Sequence, residues 1–194
     1  MFGAIKYNLS NLVNFSGRDA RSTFWYYVLF VVILRFAGGI AISLPMTVRA
    51  TAAAMEAAQA RADVATINAK MMTLVAETMP MVVWLGVALA LVTALLLAAS
   101  IVRRLHDIGM SGWLVLIPAG LQGVVLAQAP AAIARVKEAL ARFDGSTAPD
   151  PATMMQGQST MVLLGWLPAL FIIVVGLIKS NDGPNRFGEA PVRF

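Results

Sequence analysis

Four apolar runs of about twenty residues each restrict this chain more than any other feature of its sequence. They cover residues 24–44, 80–102, 113–129 and 161–178, and among the first two the only charge is Arg35. A helix rising ~1.5 Å per residue needs ~20 such residues to cross the ~30 Å hydrocarbon layer of a bilayer. Only 13% of the 194 residues are charged and 59% are hydrophobic, whereas soluble domains carry about 25% charged residues. The excess apolar surface has to face lipid. The expected fold is all-α, one integral membrane domain over residues 1–194, built as a four-helix bundle with amphipathic surface helices.

The segments between the runs have their own patterns. Phe2, Ile5, Leu9, Leu12 and Val13 are spaced by three and four, which predicts an interfacial helix over residues 1–16. Trp25, Tyr26 and Tyr27 open the first span as headgroup-level anchors. The 23 residues before that span and the arginine inside it argue against a cleaved signal peptide. Residues 48–78 contain no Gly or Pro and are rich in Ala, Met, Glu and Lys, so an outer helical segment prolonging the spans is expected there. Gly86, Ala90, Ala94 and Ala98 recur every four residues and predict a close-packing stripe in the second span. Pro130 suits the first turn of a second outer helix over 130–143, followed by a loop over 144–158 and a polar tail from 179.

Charge sets the expected orientation. Four spans put residues 1–23, 103–112 and 179–194 on one side, with eight basic and four acidic residues. The opposite side holds six of each, and Arg35 supplies the remaining cation. Basic residues near span ends mark the cytoplasmic side, so both termini are expected in the cytoplasm. A net charge of +5 without any Lys/Arg block lacks the basic stripe of a nucleic-acid binder. Absence of cysteine removes disulfides, thiolate metal sites and a cysteine nucleophile. Nine of 11 methionines lie on or near the outer side. Thioethers suit Cu(I), but Met also packs adaptably and no histidine joins the group, so neither a metal nor a cofactor is expected.

Three motifs fall on the cytoplasmic face: residues 15–25 (Phe-Ser-Gly-Arg-Asp-Ala-Arg running to Phe24-Trp25), the hinge 103–113 (Arg-Arg-Leu-His-Asp-Ile-Gly-Met-Ser-Gly-Trp) and Asn185-Arg186-Phe187-Gly188 after the last span. In this order they resemble the domain-of-unknown-function 805 family of small bacterial inner-membrane proteins. The resemblance covers the spans and cytoplasmic segments. It implies a four-helix inner-membrane protein without an established biochemical activity.

Several readings of these residues remain open. As structure, Arg103 and Arg104 complement a helix C-terminus. Asp107 or Ser111 then caps the next helix, the glycines allow a tight reversal and Trp113 anchors. Asp107 is expected to pair with Arg18 or Arg21. As a binding site, Arg18, Arg21, Arg103, Arg104, His106, Asp107, Asn185 and Arg186 form a cytoplasmic polar cluster able to hold an anionic lipid headgroup or another membrane protein, since guanidinium forks fit phosphate. As catalysis, His106 and Asp107 would be an acid/base pair, which needs a mutual hydrogen bond that sequence neighbours on a helix do not readily form. Arg35, near mid-bilayer, either snorkels or meets Gln122 or Thr93 at similar depth; a small transporter or membrane enzyme working through Arg35 and His106 is the alternative to a non-enzymatic module.

Overall fold

The computed structural model describes residues 1–142, 158–191 and 194. It is all-helical, with no strand among the described residues: α1 (Phe2–Ser10), α2 (Arg21–Gln59), α3 (Val64–Asp107), a 3₁₀ turn (Gly112–Val115), α4 (Leu116–Ala127), α5 (Ala129–Ala141) and α6 (Gln158–Leu177). Three helical stretches, Arg21–Gln59, Val64–Asp107 and Gly112–Ala141, are long and apolar enough to cross a membrane, and Val162–Leu177 is a shorter apolar helix. The first two expected spans thus lie within longer helices, with Pro45 and Pro80 inside them. The expected loop over 144–158 lies outside the described residues, except for Gln158.

The chain forms two compact units, one of residues 1–36, 90–125 and 162–194, the other of residues 37–89 and 126–161. In the second unit the uninterrupted helix expected over 48–78 is divided at Ala60–Asp63. Arg61 takes the left-handed conformation at φ 48°, and Asp63 Oδ1 accepts the Thr66 N–H at 2.9 Å, an N-cap for α3. These hydrogen bonds hold the Asp63 carboxyl below its usual value. Pattern alone hides such a break, because both sides of it are good helix formers.

In the first unit, α2 turns Thr23, Phe24, Tyr27, Val28 and Val31 inward, with Ala20 buried just ahead of it, the three-and-four spacing of one helical face. Phe24, Val28, Ile101, Leu105 and Val175 form its apolar core, joined by Trp25, Leu97 and Phe171. The buried face of α3 runs through Ala90, Thr93, Leu97, Ser100, Arg104 and Asp107, again alternating three and four. The expected small-residue stripe is met only in part: Ala90 alone of it is buried, whereas Ala94 is exposed and a methyl group on Gly86 would meet nothing within 4 Å. The inner face of α3 is shared by apolar residues such as Ile101 and Leu105 and polar ones such as Thr93 and Ser100.

Candidate functional site

At the end of α3 in this first unit, three guanidinium groups and two carboxylates are enclosed by protein. Arg103, Arg104 and Asp107 are at most 1% exposed, as is Asp19, and Arg18 is 5% exposed. Charges removed from water must be matched by partners, and here the partners come from all three segments that the sequence expectation puts on one side of the spans.

Arg103 draws in the N-terminus. Its Nε donates to Asp19 Oδ1 at 2.9 Å, and the second carboxylate oxygen accepts the Ser100 hydroxyl at 2.8 Å. The remaining donors go to α1 and the turn after it: Nη1 to the carbonyls of Asn11 (2.9 Å) and Asn14 (2.5 Å), and Nη2 to Asn8 Oδ1 at 2.5 Å. The Tyr7 ring lies 5.5 Å from the guanidinium carbon. Because Asn8 reaches this group, α1 turns Ala4 and Asn8 inward and leaves Phe2 80% exposed; the helix expected over 1–16 ends at Ser10, and Val13, in the turn after it, is 88% exposed.

Arg18 and Arg104 share Asp107. Arg18 lies 3.0 Å from Asp107 Oδ1, and Arg104 Nη1 pairs with Oδ2. Arg18 then donates to the tail carbonyls of Gly183 (2.7 Å), Gly188 (3.3 Å) and Asn181 (2.8 Å). Arg104 holds the end of α6 through the carbonyl of Ile178 and the hydroxyl of Ser180. The backbone adds Asn181 N–H to the Asp107 carbonyl at 3.1 Å. The expected Asp107–arginine pair thus forms with Arg18. Burial pushes the Asp19 carboxyl up, while hydrogen bonds from Arg103 and Ser100 and the Arg103 charge draw it part of the way back.

The other named residues take separate places. His106 stacks on Phe187 with centroids 4.0 Å apart, its Nδ1 lies 3.2 Å from the Gly17 carbonyl, and its own carbonyl accepts from Asn185 Nδ2 at 2.9 Å. Among the described residues His106 and Asp107 share no side-chain hydrogen bond. Arg186 is exposed and donates to the Gly109 carbonyl at 3.2 Å; Gly109 has φ +79°, the left-handed conformation that the reversal after α3 requires. Ser111 precedes the 3₁₀ turn without a side-chain cap. Arg21 is exposed and stands outside the enclosed group. Arg35 is exposed along α2 and donates to Thr93 Oγ1 at 3.4 Å; Gln122 is half-buried on α4. Between the Thr93 level and the enclosed charges lie Leu97, Val28 and Tyr27, the last donating its hydroxyl to the Leu96 carbonyl at 3.1 Å.

Asp19, Asn8 and Ser100 were not singled out from sequence as members of this group. Asp19 carried a signal, flanked as it is by Arg18 and Arg21 in the first motif. Asn8 carried none, since asparagine on the polar face of an amphipathic helix is ordinary.

Residues 12–189 match the family model described as "Protein of unknown function (DUF805)". No curated protein and no solved structure matches the chain.

Proposed function

Since the chain belongs to this family of unknown function, to which no activity attaches, we propose from its own geometry that it is a non-enzymatic integral membrane module of four spans, in a bacterial inner membrane, with both termini cytoplasmic. Its cytoplasmic polar cluster locks the bundle and leaves a rim of cations for lipid headgroups or a membrane partner. The observation that carries this reading is the direction of the arginine donors: those of Arg18 and Arg103, and the Nη1 and Nη2 groups of Arg104, point to protein acceptors in α1, the hinge and the tail, leaving only Arg104 Nε without one among the described residues. An enclosed catalytic site would keep donors open for a substrate.

Orientation rests on the basic residues near the span ends. It is supported by the meeting of the two termini, with Tyr7 and Phe194 ring centroids 5.8 Å apart. The exposed apolar stripe of α1 then rests on the bilayer surface. The transporter or enzyme reading needs a polar route from Arg35 to His106, and the layer of Leu97, Val28 and Tyr27 argues against one.

Asp107→Asn keeps the side-chain shape but cannot neutralise either guanidinium. Breaking a buried pair in this way costs about 3–5 kcal/mol, so the variant is expected to melt well below wild type in neutral detergent. Asp182→Asn, at a side chain 83% exposed in its pair with Lys179, is expected to melt as wild type does. An Asp107→Asn protein that keeps wild-type melting yet loses anionic-lipid binding would replace the lock by a ligand site.

A further inference from the structure

Three enclosed guanidiniums face two enclosed carboxylates, so one positive charge in the cluster has no anionic match among the described residues. Arg104 shows where the mismatch lies: its Nε is buried without a hydrogen-bond partner there. One of its other donors ends on Ser180 Oγ at 2.9 Å. Ser180 is also in the wall of a cleft of about 430 Å³ between the start of α2 and the end of α6, along with Arg21, Ser22, Trp25, Lys179 and Asp182.

The cleft continues the same imbalance. Arg21 forms no ion pair among the described residues and lies close enough to Arg104 for their like charges to repel. Lys179 is paired with the exposed Asp182 at 2.9 Å, a solvent-screened interaction that a better anion can replace. Because Ser180 Oγ accepts from Arg104, its own proton is free to be donated outward. Trp25 fixes the floor by donating Nε1 to the Gly176 carbonyl at 3.1 Å. Arg21 precedes the first apolar run and Lys179 follows the last, so the cleft lies at headgroup depth.

We propose that this cleft binds a phosphate group, held by Arg21 and Lys179 with the Ser180 hydroxyl as a third donor. Its negative charge also compensates the unmatched guanidinium charge behind Ser180. Two sources share that chemistry, the phosphodiester of an anionic lipid headgroup and free inorganic phosphate. The lipid arm rests on the membrane reading above; the phosphate arm does not.

The test uses the full chain, in neutral detergent with inorganic phosphate titrated against chloride at constant ionic strength, and in nanodiscs of phosphatidylcholine with or without phosphatidylglycerol. The expected result is a saturable rise in melting temperature with one or both phosphate sources. Arg21→Gln/Lys179→Gln should weaken apparent affinity by about tenfold or more, the scale of losing charge-assisted hydrogen bonds. It should melt as wild type does without phosphate, because both side chains are exposed. Arg21→Gln alone should give an intermediate loss, and Lys6→Gln, an exposed cation on α1, should give none. A response to phosphatidylglycerol alone identifies a lipid headgroup; a response to inorganic phosphate in detergent identifies a free-anion site. No saturable response to either, or an equal response in the double variant, overturns the proposal. Release of the chain from membranes by alkaline carbonate would overturn the membrane reading, while a phosphate response in detergent would still stand.

Discussion

Asp107 accepts from two arginines that arrive from different directions, Arg18 ahead of α2 and Arg104 one turn back on its own helix. That a hinge aspartate would find an arginine of the first motif was legible in sequence, because an even number of spans is expected to bring the ends that carry the three motifs to one side. How completely the arginines would be enclosed was not legible, since it depends on tail carbonyls whose positions no side-chain pattern encodes. Arg35 shows the same limit. Depth along the helix offered Thr93 and Gln122 equally, and only the rotation of α3 puts Thr93 within 3.4 Å. A contact that long, from a side chain on the open side of α2, should couple weakly. In a cycle of Arg35→Leu, Thr93→Val and the double variant, the melting free energies are expected to add to within about 0.5 kcal/mol. Arg35→Leu alone should melt at or above wild type, because a charge at mid-bilayer costs ~2.5–3.5 kcal/mol on insertion scales. A coupling well above ~1 kcal/mol would place Arg35 in a polar interior and revive the transport reading.

Among the helices, existence was easier to read than rotation or end. Hydropathy located each apolar run, yet α2 and α3 continue well past the segments it marks, through Pro45 and Pro80. Their neighbouring sequence favours helix, and hydropathy reports only where lipid would be needed. The stripe through Gly86 and Ala94 was misassigned because small residues look alike whether they are packed or merely abundant. Close approach occurs instead at Gly176, where an added methyl carbon would lie 2.6 Å from Trp25 Cζ2. That ring is tethered by its hydrogen bond to the Gly176 carbonyl and cannot simply swing away. Gly176→Ala is therefore expected to destabilise by about 1–3 kcal/mol, the usual cost of overpacking. Gly165→Ala on the same helix meets nothing within 4 Å and should be neutral or stabilising, since alanine is favoured over glycine in helices by ~1 kcal/mol. Equal melting of the two variants would mean that α2 and α6 do not approach as described.

Across the first unit, one cluster gathers parts of the chain that are far apart in sequence. Arg103 collects α1 and the turn after it, Arg18 collects the tail, and Arg104 collects the end of α6. If Arg18 is what holds the tail, removing its charge should free the tail without melting the helices. Amide hydrogen exchange on wild type and Arg18→Gln, in neutral detergent, reads this at Asn181, whose N–H is bonded to the Asp107 carbonyl, and at Asn185 and Gly188, which bond each other. The predicted result is protection at all three amides in wild type and fast exchange in Arg18→Gln, while the α6 amides around Phe171 stay protected in both. Wild-type protection of Asn181, Asn185 and Gly188 in a folded Arg18→Gln protein would contradict the lock.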